Sequence, residues 1–141
     1  MIPQAVSLHR YFIWANRMRL RFEAALQNGQ GPGNTFESAA RWFSSEAGMY
    51  RSSYWYGALY VVVEAWRELK LHDDAVDQLL KDEPKMYLLK RYRNGSFHFQ
   101  PDSFHEKFTE LFGDLGSAEW IGKLHDELNR FFLERPSGES V

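Results

Sequence analysis

The sequence contains no cysteine, and its apolar runs are short. The absence of cysteine excludes a disulfide framework, a thiolate nucleophile and a cysteine-ligated zinc site. No run approaches the ~20 apolar residues that a membrane-spanning helix needs. Arginine and histidine side chains interrupt the first twenty residues, which therefore do not resemble a signal peptide. We expect a soluble cytoplasmic protein that makes no membrane contact.

The chain also lacks an excess of positive charge. Its 141 residues include 17 lysines and arginines against 19 aspartates and glutamates, for a formal net charge of −2. This balance excludes a globally basic nucleic-acid binder but allows a local basic patch. Aromatic residues, in contrast, make up 16% of the chain, which excludes general disorder. The length fits one domain spanning residues 1–141.

The spacing of apolar residues predicts helices along most of the chain. Apolar side chains recur every three or four residues, and no convincing pair of strands emerges. The predicted helices cover residues 3–26, 35–69, 71–81, 84–93, 104–112 and 117–132. The pattern therefore predicts an all-α, up-and-down bundle of five or six helices.

Side chains that accept hydrogen bonds from backbone N–H groups mark where these helices begin. Asn34 with Glu37 resembles a capping box, and so does Ser103 with Glu106. Either Asp73 or Asp74 is expected to cap the third helix, and Ser117 the last one. Pro84 is expected at the first position of its helix, where a missing N–H costs nothing.

The predicted helix over residues 35–69 is too long for a small domain. As a straight rod it would run roughly 50 Å, which exceeds the expected diameter of a compact chain of this size. We therefore expect a kink near Gly48 or Gly57, or a helix that protrudes into a partner. The helix is also rich in aromatic residues, which point in several directions and favour an oligomer. They are Tyr50, Tyr54, Trp55, Tyr56, Tyr60 and Trp66.

The densest cluster of chemically useful side chains lies between residues 90 and 100. Cationic and polar groups alternate there with aromatic rings, as expected of a surface that binds a phosphodiester backbone and unpaired bases. The members are Lys90, Arg91, Tyr92, Arg93, Asn94, Phe97, His98 and Phe99. Arginine side chains are suited to binding a phosphate, and histidine side chains are suited to transferring protons near neutral pH. On a helix, Asn94 and His98 share one face.

A structural interpretation of the same residues is also open. Arg93, Asn94 and Gly95 are typical of a helix C-terminus, where the cation complements the helix dipole and Asn or Gly takes a left-handed conformation. His98, between two phenylalanines, would then be a hydrogen-bonded histidine of the core.

The run Arg93-Asn94-Gly95-Ser96-Phe97-His98 resembles the R-x-x-x-x-H motif of the HEPN superfamily. HEPN domains are all-α and usually dimeric, and many are metal-independent endoribonucleases of toxin–antitoxin, antiphage and RNA-processing systems. The resemblance implies Arg93 and His98 as catalytic residues, with Asn94 supporting them. It implies RNA as substrate, a second copy of the chain as partner, an antitoxin as a further possible partner, and neither metal nor cofactor.

Together with this resemblance, the basic cluster predicts that Lys90, Arg91 and Tyr92 bind RNA. Some HEPN toxins extend the motif to R-x-x-x-x-H-x-Y, and a partner nucleotidyltransferase modifies that tyrosine. Gln100 stands at this position here, which argues against such a pairing. The competing hypothesis is a non-catalytic helical module that binds a protein or a nucleotide.

Overall fold

The computed structural model describes residues 3–28, 33–43, 45, 48, 50–99, 101, 110–111, 114 and 116–134. Within these ranges the secondary structure is helical, with no strand, so the predicted all-α helical bundle is confirmed. The elements are α1 (Pro3–Gln27), α2 (Phe36–Phe43), the π-helical turn π1 (Tyr50–Trp55), α3 (Tyr56–Glu68), α4 (Asp74–Leu80), α5 (Glu83–Phe97) and α6 (Ser117–Leu133). No helix of the described ranges is long and apolar enough to cross a membrane.

Helix α3 lies at the centre of the bundle. It packs against α1 and against α5, and π1 contacts all three of these helices. Leu59, Val62 and Val63 of α3 are essentially inaccessible to solvent, which follows from its nearly continuous apolar sequence. Helix α6 packs on α4 and α1 through an apolar stripe that includes Leu124 and Leu128. The arrangement places α5, which carries the R-x-x-x-x-H motif, directly against the central helix.

Several predicted helix ends are confirmed. Helix α1 has Pro3 in its first turn and ends at Gln27, one residue beyond the predicted end at residue 26. Asp73 caps α4, since its carboxylate accepts hydrogen bonds from the backbone N–H groups of Ala75 and Val76.

The predicted caps of α2 and α6 are wrong by one residue. Thr35, and not Asn34, caps α2: its hydroxyl accepts the N–H of Ser38, whose hydroxyl accepts the N–H of Thr35 in return. Gly116, with φ of 82°, precedes α6, and Ser117 is the first helical residue. The Ser117 hydroxyl donates to Asp114 instead of capping the helix.

Pro84 stands one position further into its helix than expected. Glu83 is the first residue of α5, and Asp82 caps it by accepting the N–H of Lys85. The predicted helix over 104–112 lies mostly outside the described residues, as do Ser103, Glu106 and Gln100.

The long helix predicted over residues 35–69 is divided. Helix α2 ends at Phe43, and π1 directly precedes α3. The π turn lies between Gly48 and Gly57, the two positions where a kink was expected. A π segment carries an extra residue per turn, so it changes which side chains face the core.

Most aromatic side chains of this region are buried within the single chain. Trp55, Tyr56, Tyr60 and Trp66 are at most 7% exposed. The argument that they need a second chain to cover them is therefore wrong for these four residues. Among the residues whose burial is described, the exposed aromatic residues lie mainly elsewhere and are Tyr11, Trp14, Tyr54, Tyr87, Phe97 and Phe99.

Candidate functional site

The helix continues through most of the R-x-x-x-x-H motif and does not end at Asn94 or Gly95. Helix α5 runs through Asn94 and a buried Gly95 to Phe97, and neither Asn94 nor Gly95 has a positive φ. The interpretation of Asn94 and Gly95 as a left-handed cap is therefore wrong. His98 is the first residue beyond the helix, with extended φ and ψ, and its N–H donates to the carbonyl oxygen of Asn94 at 3.1 Å.

Arg93 is held against the central helix. Its Nη2 donates to Oε1 of Glu64 at 2.7 Å, and its guanidinium carbon lies 5.2 Å from the centre of the Tyr60 ring. The Arg93 Nε is buried and finds no acceptor in the described part of the chain. The contacts with α3 thus orient the guanidinium. Helix α5 continues without a break through Gly95, so the backbone there does not give Arg93 additional mobility.

His98 is an exposed side chain, so it is not the core histidine of the structural interpretation. Lys90, Asn94 and His98 follow one another at four-residue intervals, which places them in one row along α5 and its end. Lys90 is exposed and Asn94 partly exposed. An exposed cation, a partly exposed amide and an exposed imidazole thus follow one another along α5 and just beyond its end, and Arg93, next to Asn94 in sequence, is bound to Glu64 of α3.

Two of the predicted RNA-binding residues are placed differently. The Nε of Arg91 donates to Glu110 at 2.8 Å, which offsets its charge. Tyr92 is 0% exposed and its ring packs 5.7 Å from that of Tyr56, so it has no exposed face for a base. Exposed rings beside the motif come instead from Phe97, which is 54% exposed, and Phe99, which is 91% exposed.

Phe97 reaches the surface of α3 because residue 57 is glycine. A Cβ atom built on Gly57 would lie 2.3 Å from Cε2 of Phe97. Only a residue without a side chain lets the ring approach this closely. Gly57 therefore allows the Phe97 ring, near the end of α5, to pack on the surface of the central helix.

The electrostatic environment of Arg93 includes a perturbed tyrosine. Burial, followed by the negative charge of Glu64, raises the pKa of Tyr60, while Arg93 and Arg67 oppose the rise. Tyr60 therefore stays protonated near neutral pH and offers Arg93 a neutral ring face. Glu64 provides the only carboxylate that contacts Arg93 among the described residues.

A second polar cluster lies in the core around His125, and the sequence analysis did not identify it. His125 is 1% exposed. Trp55 Nε1 donates to its Nδ1 at 3.1 Å, so the imidazole proton resides on Nε2 and is donated to Asn16 Oδ1 at 2.9 Å. The signal was available, because His125 lies four residues after buried Ile121 and thus on the same helix face.

His125 is unsuited to proton transfer near neutral pH. Burial, and then the nearby positive charge of Arg19, lowers its pKa to about 3, with Asp126 acting in the opposite direction. Arg19 itself forms ion pairs with Glu23 and Asp126 and lies over the ring of Trp55. This cluster is a fully bonded structural network that joins α1, π1 and α6.

The low pKa of His125 predicts a loss of stability in mild acid. The folded state keeps this imidazole neutral down to about pH 3, whereas the unfolded chain binds its proton near pH ~6.5. Between these values the unfolded state holds more protons, so the free energy of unfolding falls by at most about 1.4 kcal/mol per pH unit of acidification. Urea denaturation at several pH values measures the slope. A His125→Phe variant should show a shallower slope, and equal slopes would contradict the assignment.

The Arg93–Glu64 contact predicts a modest contribution to stability. The two side chains are partly exposed, so their coupling in a double-mutant cycle should be about 0.5 kcal/mol. Arg93→Ala should cost about 1 kcal/mol in total, because it also removes the contact with the Tyr60 ring. Chemical denaturation of Arg93→Ala, Glu64→Gln and the double variant measures the coupling. Additive losses would show that the ion pair contributes nothing.

No group of three His, Asp or Glu side chains within the described ranges is arranged to hold a metal ion. Comparisons with known proteins return no matching family model, no matching curated protein and no matching solved structure. The resemblance to HEPN domains therefore rests on the motif of α5 and on the helical architecture.

Proposed function

We propose that this chain is a metal-independent endoribonuclease of the HEPN type, with its site at the C-terminal end of α5. One observation carries the proposal: an oriented guanidinium, Arg93, and an exposed imidazole, His98, occupy the last turn of one helix and its end. One group suits phosphate binding and the other proton transfer. Their combination is what cleavage by the ribose 2′-hydroxyl requires.

In the proposed reaction His98 acts as the general base. A neutral imidazole takes the proton of the 2′-hydroxyl as its oxygen attacks the adjacent phosphorus. The bond from phosphorus to the 5′-oxygen breaks, and that oxygen leaves with a proton from a histidine or from water. The products are a 2′,3′-cyclic phosphate and a free 5′-hydroxyl. Intramolecular attack has the advantage of proximity, since nucleophile and phosphate belong to the same nucleotide.

Arg93 stabilises the negative charge that accumulates on the phosphate. One of its five N–H groups is bound to Glu64, which orients the guanidinium and leaves further donors for phosphate oxygens. Asn94, next to Arg93 in sequence and four residues before His98, supplies an amide to orient the phosphate or the imidazole. Glu64 is in this account a positioning residue, which sequence spacing alone did not identify.

The surface around the site suits a single strand of RNA. Lys90 is exposed and forms no ion pair with a described carboxylate, so its ammonium group can contact the backbone. Phe97 and Phe99 offer exposed rings on which unpaired bases can stack. These two rings take the role that the sequence argument gave to Tyr92.

The same exposed rings support a homodimer as part of the proposal. A second copy that covers Phe97 and Phe99 would bring two motifs into one cleft and remove apolar surface from water. We place this enzyme in the cytoplasm, in a growth-arrest or antiphage role with an antitoxin as a possible partner, by analogy with the family that the motif resembles.

A second candidate function follows from the Arg93–Glu64 contact. If this ion pair serves only to clamp α5 to α3, the chain is a non-catalytic helical module, and its exposed rings bind a partner protein. Under that hypothesis no RNA is cleaved, and Arg93 contributes to stability alone.

The test is an incubation of the purified protein with matched RNA and DNA oligonucleotides in excess EDTA. The proposal expects fragments from RNA and intact DNA, because DNA lacks the 2′-hydroxyl. Intact RNA under these conditions, or cleavage that disappears when the chelator is added, would reject the proposed enzyme.

A further inference from the structure

A cavity of about 530 Å³ lies beside the C-terminal end of α3, away from the end of α5 that carries His98. Its walls come from the last turn of α3, the segment that follows it, the end of α4 and the start of α5. The charged and titratable groups that line it are Arg67, Lys70, His72, Asp77, Lys81 and Glu83. A volume of this size fits a small organic ligand.

The cations of this cavity have no carboxylate partners among the described residues. Arg67, Lys70 and Lys81 form no ion pair with any described Asp or Glu, unlike Lys85, Arg93 and Arg130. Arg67 donates to the carbonyl oxygen of Leu80 at 3.3 Å, and Lys81 donates to the side-chain oxygen of Gln78 at 3.4 Å. Three cations that bind only neutral acceptors, or none, among the described residues thus line one space.

Asp77 keeps its negative charge but forms no ion pair with these three cations, because its carboxylate oxygens accept hydrogen bonds from other donors. Trp66 Nε1 donates to Oδ1 at 3.0 Å, and the N–H of Asp73 donates to Oδ2 at 3.2 Å. His72 Nδ1 lies 3.5 Å from the same Oδ2. Glu83, at the rim, is the other acid of the cavity and pairs with none of the three cations.

A second cavity of similar size shows that this charge pattern is local. It measures about 460 Å³ and lies between α4 and α6. Its charged residues are Lys123, Asp126 and Glu127, and Lys123 is paired with Glu119 at 3.0 Å. Its two acids are paired as well, Asp126 with Arg19 and Glu127 with Arg130, so this cavity has no cation without an ion-pair partner.

We propose that the cavity at the end of α3 binds a phosphate-bearing small molecule of nucleotide size. The fork of Arg67 and the ammonium groups of Lys70 and Lys81 provide donors for phosphate oxygens. The apolar side chains of Leu71 and Leu80 line the same space and suit the organic part of the ligand. The proposal is independent of RNA cleavage at α5.

Isothermal titration with ATP, inorganic tripolyphosphate and adenosine, each in EDTA, tests the proposal. ATP should bind more tightly than tripolyphosphate, and adenosine should bind weakly or not at all. The double variant Lys70→Gln/Lys81→Gln should lose at least about tenfold in ATP affinity, because it removes two charged donors to the phosphate oxygens. The control Lys123→Gln removes a lysine from the second cavity and should bind ATP as the wild type does.

Circular dichroism and thermal melting establish that the double variant is folded, and Lys81→Gln alone serves if it is not. Absence of ATP binding at millimolar concentration, or equal affinity in the wild type and the double variant, would overturn the proposal. Equal binding of ATP and tripolyphosphate would overturn the role of the apolar wall. An RNA oligonucleotide that binds here while ATP does not would overturn the small-molecule assignment.

Discussion

Replacement of His125 by alanine should lower the free energy of unfolding by about 3 kcal/mol or more. The imidazole is 1% exposed, so its removal leaves a cavity in the core between α1, π1 and α6. It also leaves the buried Trp55 Nε1 and the partly buried Asn16 Oδ1 without their partners, which carries a further penalty. Because a domain of this size is stable by only about 5–15 kcal/mol, the melting temperature should fall by roughly 10 °C.

Two variants separate the causes of this loss. His125→Phe keeps most of the ring volume but makes neither hydrogen bond, so it should cost about 1–3 kcal/mol. His98→Ala removes an exposed imidazole of the same chemistry and should change stability by no more than about 0.5 kcal/mol. Similar melting temperatures for His98→Ala and His125→Ala would contradict the assignment of His125 as the structural histidine.

The second large effect concerns activity. His98→Ala should reduce RNA cleavage by about 10²- to 10⁴-fold, the usual contribution of a general acid or base. Arg93→Ala should reduce it by about 10²- to 10³-fold, because the charge on the phosphate loses its main donor. Initial rates on a single fluorescent RNA substrate measure both variants against the wild type.

Conservative variants distinguish a catalytic role from a structural one. Arg93→Lys keeps the charge near Glu64 but loses the fork of donors, so it should retain stability and still cleave slowly. Glu64→Gln weakens the orientation of Arg93 and should lower activity less than Arg93→Ala does. Lys123→Gln lies on α6 and should leave cleavage unchanged. Full activity in His98→Ala would reject the proposed mechanism.

The sequence was sufficient to predict the all-helical class, because the spacing of apolar residues and the capping residues at helix ends are signals within short segments. The exact first residue of a helix was harder to predict, because neighbouring residues can both serve as caps. Asn34 and Thr35 are both good capping residues, and only the reciprocal hydrogen bonds between Thr35 and Ser38 in the structure distinguish them. The division of the helix over 35–69 depends on π1, whose extra residue per turn has no simple signature in side-chain spacing.

The sequence could predict only those features of the candidate site that depend on residues of a single helix. The row of Lys90, Asn94 and His98 follows from helical geometry. The contact between Arg93 and Glu64 does not follow from helical geometry. Glu64 lies 29 residues away in sequence, and the packing of α5 on α3 brings the two side chains together. The burial of Tyr92 likewise depends on which face of α5 meets Tyr56.

The central claim is that His98 and Arg93 direct the 2′-hydroxyl of RNA against its neighbouring phosphate. The most direct measurement is mass spectrometry of the ends produced from a defined RNA oligonucleotide in excess EDTA. The account predicts 2′,3′-cyclic phosphate and 5′-hydroxyl ends, formed by the wild type and absent with His98→Ala. Fragments with 5′-phosphate and 3′-hydroxyl ends, or identical fragments from both proteins, would contradict it.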